Sequence, residues 1–134
     1  MPQSPIPVPA FAALGIQGGD WLTLGRLMRE DATTHDMVAC IPADVSSITR
    51  WLIDLTDGTT VVSGPTALNV TTTILAALST GTVWTRDTVG FNFRDQIAGA
   101  LLTSLPGVEV RYSITLSDGT VVKVHIDLNL KQSN

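Results

Sequence analysis

The chain has 134 residues, of which 44 % are apolar and only 15 % charged, and its formal net charge is −4. The eight basic residues are scattered, which excludes the dense cationic face needed to bind a phosphate backbone or an anionic membrane surface. A single cysteine excludes an intrachain disulfide, and the length suits one domain with a core of ordinary size.

Residues 1–20 read as an extended arm. Pro2, Pro5, Pro7 and Pro9 hold the start of the chain in a polyproline-like conformation and rule out the apolar helix of a signal peptide. Residues 11–16 are apolar and read as a short strand or one helical turn; Gln17-Gly18-Gly19-Asp20 is a flexible joint. Pro5, Ile6, Val8, Phe11, Leu14 and Ile16 make the arm too apolar for a solvated tail and mark it as a segment that docks on a partner. Residues 21–134 form the folded domain. Residues 21–31 read as a first strand with an irregularity at Gly25, a short helix over residues 24–29 being the alternative. Residues 37–41 are a second short strand stopped by Pro42.

Two similar hairpins follow. Leu55-Thr56-Asp57-Gly58-Thr59 and Leu116-Ser117-Asp118-Gly119-Thr120 each interrupt an alternating apolar run. Asp-Gly at such a break predicts a tight primed turn, because Gly takes positive φ without steric cost. In the first hairpin, Thr49, Trp51, Ile53 and Leu55 share the more apolar parity, which predicts that Trp51 points into the core. Its return strand spans residues 59–62 and ends at Ser63-Gly64-Pro65. Residues 68–78 alternate, and the β-branched Thr71-Thr72-Thr73 favours a strand through about residue 75, followed by a turn. Residues 82–93 read as a packed crossover loop, and residues 96–105 as a short helix or an irregular strand. The final hairpin is the cleanest. Val108, Val110, Tyr112, Ile114 and Leu116 share one face, and Val122, Val124, Ile126, Leu128 and Leu130 share one face of the return strand. Seven or so short strands at this spacing predict an all-β fold, a two-sheet antiparallel β-sandwich preceded by the proline-rich arm.

Motifs that carry chemistry are sparse. Gln17-Gly18-Gly19-Asp20 lacks the spacing and the Lys-Ser/Thr of a phosphate loop. One cysteine and two histidines fall short of a zinc site, although His125 and Asp127 project from the same strand face. Cys40 lies in an apolar run and reads as a small buried hydrophobe; His35 lies in a polar loop. Asp57 and Asp118 read as turn residues. No enzyme activity, cofactor or metal is therefore expected. Trp21, Trp51 and Trp84 are the candidates for a sugar-stacking platform, and with Trp51 assigned to the core, Trp84 in its loop is the candidate exposed aromatic.

Trp84-Thr85-Arg86-Asp87, Gly90-Phe91-Asn92-Phe93 and the run from Tyr112 to Thr120, in that order, resemble small immunoglobulin-like domains of tailed-phage structural proteins. These include the N-terminal domain of baseplate upper proteins and related prophage-encoded proteins. The resemblance covers roughly residues 45–130. It departs from the pattern where Val110 stands at a position expected to hold Tyr, with Tyr112 two residues later, and the proline-rich arm lies outside it. The resemblance implies an immunoglobulin-like sandwich serving as a non-enzymatic structural subunit of a phage-like virion. Its place would be the neck, tail, baseplate or capsid surface. It would be assembled in the host cytoplasm and docked on other virion proteins and on copies of itself, without nucleic acid or membrane as partner. A carbohydrate-binding or adhesive sandwich module is the alternative.

Overall fold

Alternation of apolar and polar residues, broken at Asp-Gly, makes hairpins whose apolar faces must be covered by a second sheet. The structure, a computed structural model, describes residues 10–15, 20–80, 84, 89–101 and 107–129, with residues 10–15 and 129 described by their backbone. In chain order its strands are β1 (Ala10–Gly15), β2 (Trp21–Arg26), β3 (Met28–Glu30), β4 (Met37–Ala39), β5 (Val45–Asp54) and β6 (Val61–Leu68). A helical turn, α1 (Val70–Thr73), leads to β7 (Ile74–Ser79), β8 (Phe91–Ile97), β9 (Gly107–Leu116) and β10 (Val121–Asn129). One four-stranded sheet has the order β1-β2-β8-β7, a second has β10-β9-β5-β6, and β3 and β4 pair apart from both. All pairings are antiparallel.

The two sheets share one core. Val108, Val110, Tyr112, Ile114 and Leu116 of β9 are all buried, as the alternation predicts, and they cluster with Ile74, Phe93 and Ile97 of the other sheet. Val122, Val124 and Leu128 of the return strand are buried as well, with Ile126 packed against them; Leu130 lies outside the described residues. Phe93 and Tyr112 meet edge to face across the layers, ring centroids 4.9 Å apart. A smaller cluster of Leu22, Leu24, Trp84 and Phe91 forms beside the first sheet.

Of the two readings of residues 11–16 the strand is the one formed: residues 10–15 are hydrogen-bonded to β2, in register Phe11↔Gly25 and Leu14↔Leu22, and the proline-rich residues 1–9 lie outside the described part. Several other sequence expectations are revised. The strand expected over residues 21–31 divides at Leu27. The Asn92 side chain provides the reason: its carbonyl accepts from Leu27 N at 2.7 Å, and its amide donates to Leu27 O at 2.9 Å and Cys40 O at 2.8 Å. Backbone groups that leave the sheet are thus satisfied by one buried amide.

The strand expected from residue 68 is α1 followed by β7. Asn69 caps α1, accepting from the backbone N–H of Thr71 and Thr72, an alternative to the strand ladder that short polar side chains offer. The return strand β6 continues past residue 62 to Leu68, because Gly64 lets it press onto β5. Gly64 has φ +117°, and a Cβ there would fall 2.6 Å from Arg50 O. Within residues 82–93, Phe91-Asn92-Phe93 begins β8, and residues 96–105 resolve into the end of β8 and a 3-10 turn, Gly99–Leu101, with 102–105 outside the described residues. Both Asp-Gly turns place Gly at positive φ, but the loops are longer than the tight primed turn expected. Gly119 N donates to Leu116 O, a type I turn closed by a left-handed glycine, while Gly58 N reaches back one residue further, to Asp54 O.

The alternation of β5 is also the reverse of the expected one, although Ile53 of the expected inward set is buried. Ile48, Arg50 and Leu52 face the core, while Trp51 is half-buried and faces outward. Burial of Arg50 is made tolerable by Asp95 on β8. One Arg50 amino group (Nη1) donates to both carboxylate oxygens, at 3.0 and 2.8 Å, and Tyr112 OH donates to Oδ2 at 2.7 Å.

Candidate functional site

Strand register builds rows across the outer face of the β10-β9-β5-β6 sheet. Trp51 of β5 stands beside Arg111 of β9, which stands beside His125 of β10. The neighbouring rows are Thr49, Ser113 and Lys123 on one side, and Ile53, Glu109 and Asp127 on the other. Successive side chains alternate between faces, so these rows are what the core-facing residues leave for the outside. Of these rows, Trp51, Ile53, Glu109, Arg111, Ser113, Lys123 and His125 line a groove of about 590 Å³, which Thr59 and Val61 border as well.

Trp51 is fixed in this groove. Gly64 of β6 packs against it so closely that a Cβ there would approach Trp51 Cδ1 to 3.3 Å. Around it the groove is polarised. Arg111 Nε is ion-paired with Glu109 Oε1, and His125 Nδ1 lies 3.6 Å from Glu109 Oε2. Lys123 is exposed and forms no ion pair with any described residue.

Glu109, His125 and Asp127 bring one donor atom each to within 4.8 Å of one another. That spread suits three ligands around a divalent cation, whose bonds are about 2.0–2.2 Å long. One oxygen of Glu109 is already engaged by Arg111, so the trio serves equally as a local charge network. The shared face of His125 and Asp127 was legible from their i, i+2 spacing; Glu109 joins them only through the β9–β10 register.

The other sequence candidates are placed as follows. Pro5, Ile6, Val8 and Ile16 lie outside the described residues, and Phe11 and Leu14 belong to β1. Trp84, the candidate exposed aromatic, is 6 % exposed and packs on Phe91 with ring centroids 5.7 Å apart, because the small cluster beside the first sheet takes it up. The aromatic that does face outward is Trp51. Cys40 is buried, and burial pushes its thiol up to about 11. His35 sits in the exposed loop between β3 and β4, 3.3 Å from Glu30 Oε1. Asp57 and Asp118 act within their turns: Asp57 accepts from Thr59 N, Thr60 N and Thr60 Oγ1, and Asp118 from Thr120 N. Those hydrogen bonds, led by the Thr60 hydroxyl, hold the Asp57 carboxyl down to about 2.

Among the described residues no helix is long and apolar enough to cross a membrane. Comparison with known proteins finds no matching family model, no matching curated protein and no matching solved structure.

Proposed function

We propose that this chain is a non-enzymatic structural subunit of a phage-like virion, an immunoglobulin-like β-sandwich that acts by docking on other virion proteins and on copies of itself. The observation that carries this reading is a charge-free rim. No charged residue occurs between Asp57 and Arg86. That stretch contains β6 and β7, the terminal strands of the two sheets, joined through α1. On the opposite side β1 lies against β10; among the described residues the β6–β7 side is the more open one, bordered at β7 by α1 and the 3-10 turn Pro42–Asp44.

Terminal strands present unpaired backbone groups, and freely soluble proteins blunt them with charge, proline or bulges. Here Pro65 and the register shifts of β6 protect only part of the rim. Val61 and Val62 are 50 % and 36 % exposed, and Ala76 and Ala77 of β7 are exposed. Strand addition at such an edge gives main-chain hydrogen bonds and apolar contacts together.

The test is the solution mass by light scattering across a concentration series. It compares the full chain with the Val62→Lys/Ala77→Lys variant and with a chain lacking residues 1–9, which leaves β1 intact. The expected result is association of the full chain that the double lysine variant abolishes. A full chain that stays monomeric at every concentration and gains nothing from residues 1–9 counts against the proposal.

A further inference from the structure

We propose that the groove around Trp51 is a binding site for an acidic oligosaccharide, one carrying uronate carboxylates. The site lies on the outer face of the β10-β9-β5-β6 sheet and adjoins the β6–β7 rim at Val61, but its test reads sugar binding and the docking test reads solution mass, so the failure of one is distinguishable from the failure of the other.

Three observations converge. The first is the platform: a partly exposed indole, held in place by the close approach of Gly64, at a groove of ligand size. A flat aromatic face suits the C–H face of a sugar ring, and a pre-positioned one loses little entropy on binding. The second is the surrounding chemistry. Ser113, His125 and Glu109 place hydroxyl, imidazole and carboxylate groups about the indole, which matches a ring bearing hydroxyls. A purely apolar ligand would leave these groups desolvated without partners.

The third is charge. Glu109 is held by Arg111, and Lys123, two strand positions from His125, has no ion-pair partner among the described residues. A carboxylate on the sugar complements Lys123 and the exposed part of Arg111. A neutral sugar leaves that charge unused. Glu109 and Asp127 at the other end disfavour a polyanion that would cover the whole face, which points to a short acidic oligosaccharide rather than a nucleic acid.

The experiment is calorimetry on the full chain with trigalacturonate and, as the neutral counterpart of equal ring number, cellotriose. Intrinsic tryptophan fluorescence is recorded in parallel. Trigalacturonate is expected to bind and to change the fluorescence, and cellotriose to bind at least about tenfold more weakly. Trp51→Ala is expected to weaken trigalacturonate binding about tenfold, the scale of one lost aromatic contact. Lys123→Met is expected to weaken it severalfold and to reduce its salt dependence. Circular dichroism confirms that each variant is folded; Trp51→Leu, apolar but without an aromatic face, replaces the alanine variant if that one is not. Absence of trigalacturonate binding, or binding unchanged in the Trp51 variant, overturns the site. Equal binding of both sugars, or no effect of Lys123→Met, overturns the acidic class.

Discussion

Arg50 and Trp51 are neighbours in sequence on opposite sides of one sheet, and hydrophobicity alone would have exchanged them. The Arg50–Asp95 pair on the inner face has side chains 9 % and 8 % exposed, whereas the Arg111–Glu109 pair on the outer face has side chains 48 % and 17 % exposed. Two ion pairs of the same chemistry thus play different parts. The inner one bridges two sheets without water to screen it, and it is costly to break because either partner alone is a buried charge. The outer one is screened by solvent and contributes little to stability, but it arranges the rim of a groove.

The comparison is most strongly tested by Asp95→Ala. Loss of the carboxylate leaves Arg50 uncompensated in the core and is expected to cost about 3–5 kcal/mol in urea unfolding. The Arg50→Met/Asp95→Leu double variant is expected to recover most of that loss. Arg50 Nε has no hydrogen-bond partner among the described residues, so an apolar pair gives up an incompletely satisfied network. A double variant as unstable as Asp95→Ala would show that the clamp specifies the sheet packing beyond its charge balance.

Tyr112→Phe keeps the ring against Phe93 and removes the hydroxyl that donates to Asp95. The expected loss is about 1.5–3 kcal/mol, the range for a hydrogen bond to a charged group. Trp51→Ala, on the outer face, is expected to cost only about 1–2 kcal/mol because its indole is already partly in water. If Trp51→Ala proves more damaging than Asp95→Ala, the assignment of the two faces is wrong.

The smallest effect concerns Asp57, wholly on the surface. Its carboxyl is held at about 2 against an ordinary 3.8, so its contribution is complete above the ordinary value and disappears as pH falls from about 4 towards 2. Titration of the Asp57 side chain by NMR should show this low midpoint, and Thr60→Ala should move it back up. An unchanged midpoint in Thr60→Ala would remove the Thr60 hydroxyl as its main cause.

The legible part of the fold was the part governed by local alternation. The final hairpin reads correctly because every inward position from Val108 to Leu116 is apolar or aromatic, and a one-residue slip would put them all in water. The first hairpin misleads on the same rule, since the partner that admits Arg50 to the core stands 45 residues away on β8. The break at residue 27 and the helical turn at residue 70 escape it for a related reason: the Asn92 amide ends a strand by satisfying distant backbone, and Asn69 starts a helical turn by capping it. The groove follows from these long-range facts. His125 and Asp127 could be placed on one face from spacing, but Glu109 needed the register and Trp51 needed the correct parity of β5.

The charge-free stretch that carries both open edges has a consequence for handling the protein. Trypsin cuts beside lysine and arginine, and between Arg50 and Arg86 the chain contains neither. Even complete digestion therefore leaves β6, α1 and β7 together on one fragment, with both Trp51 and Trp84. Two of the three indoles travel with the edge strands, so a tryptic map reads that rim as a single, strongly absorbing peptide.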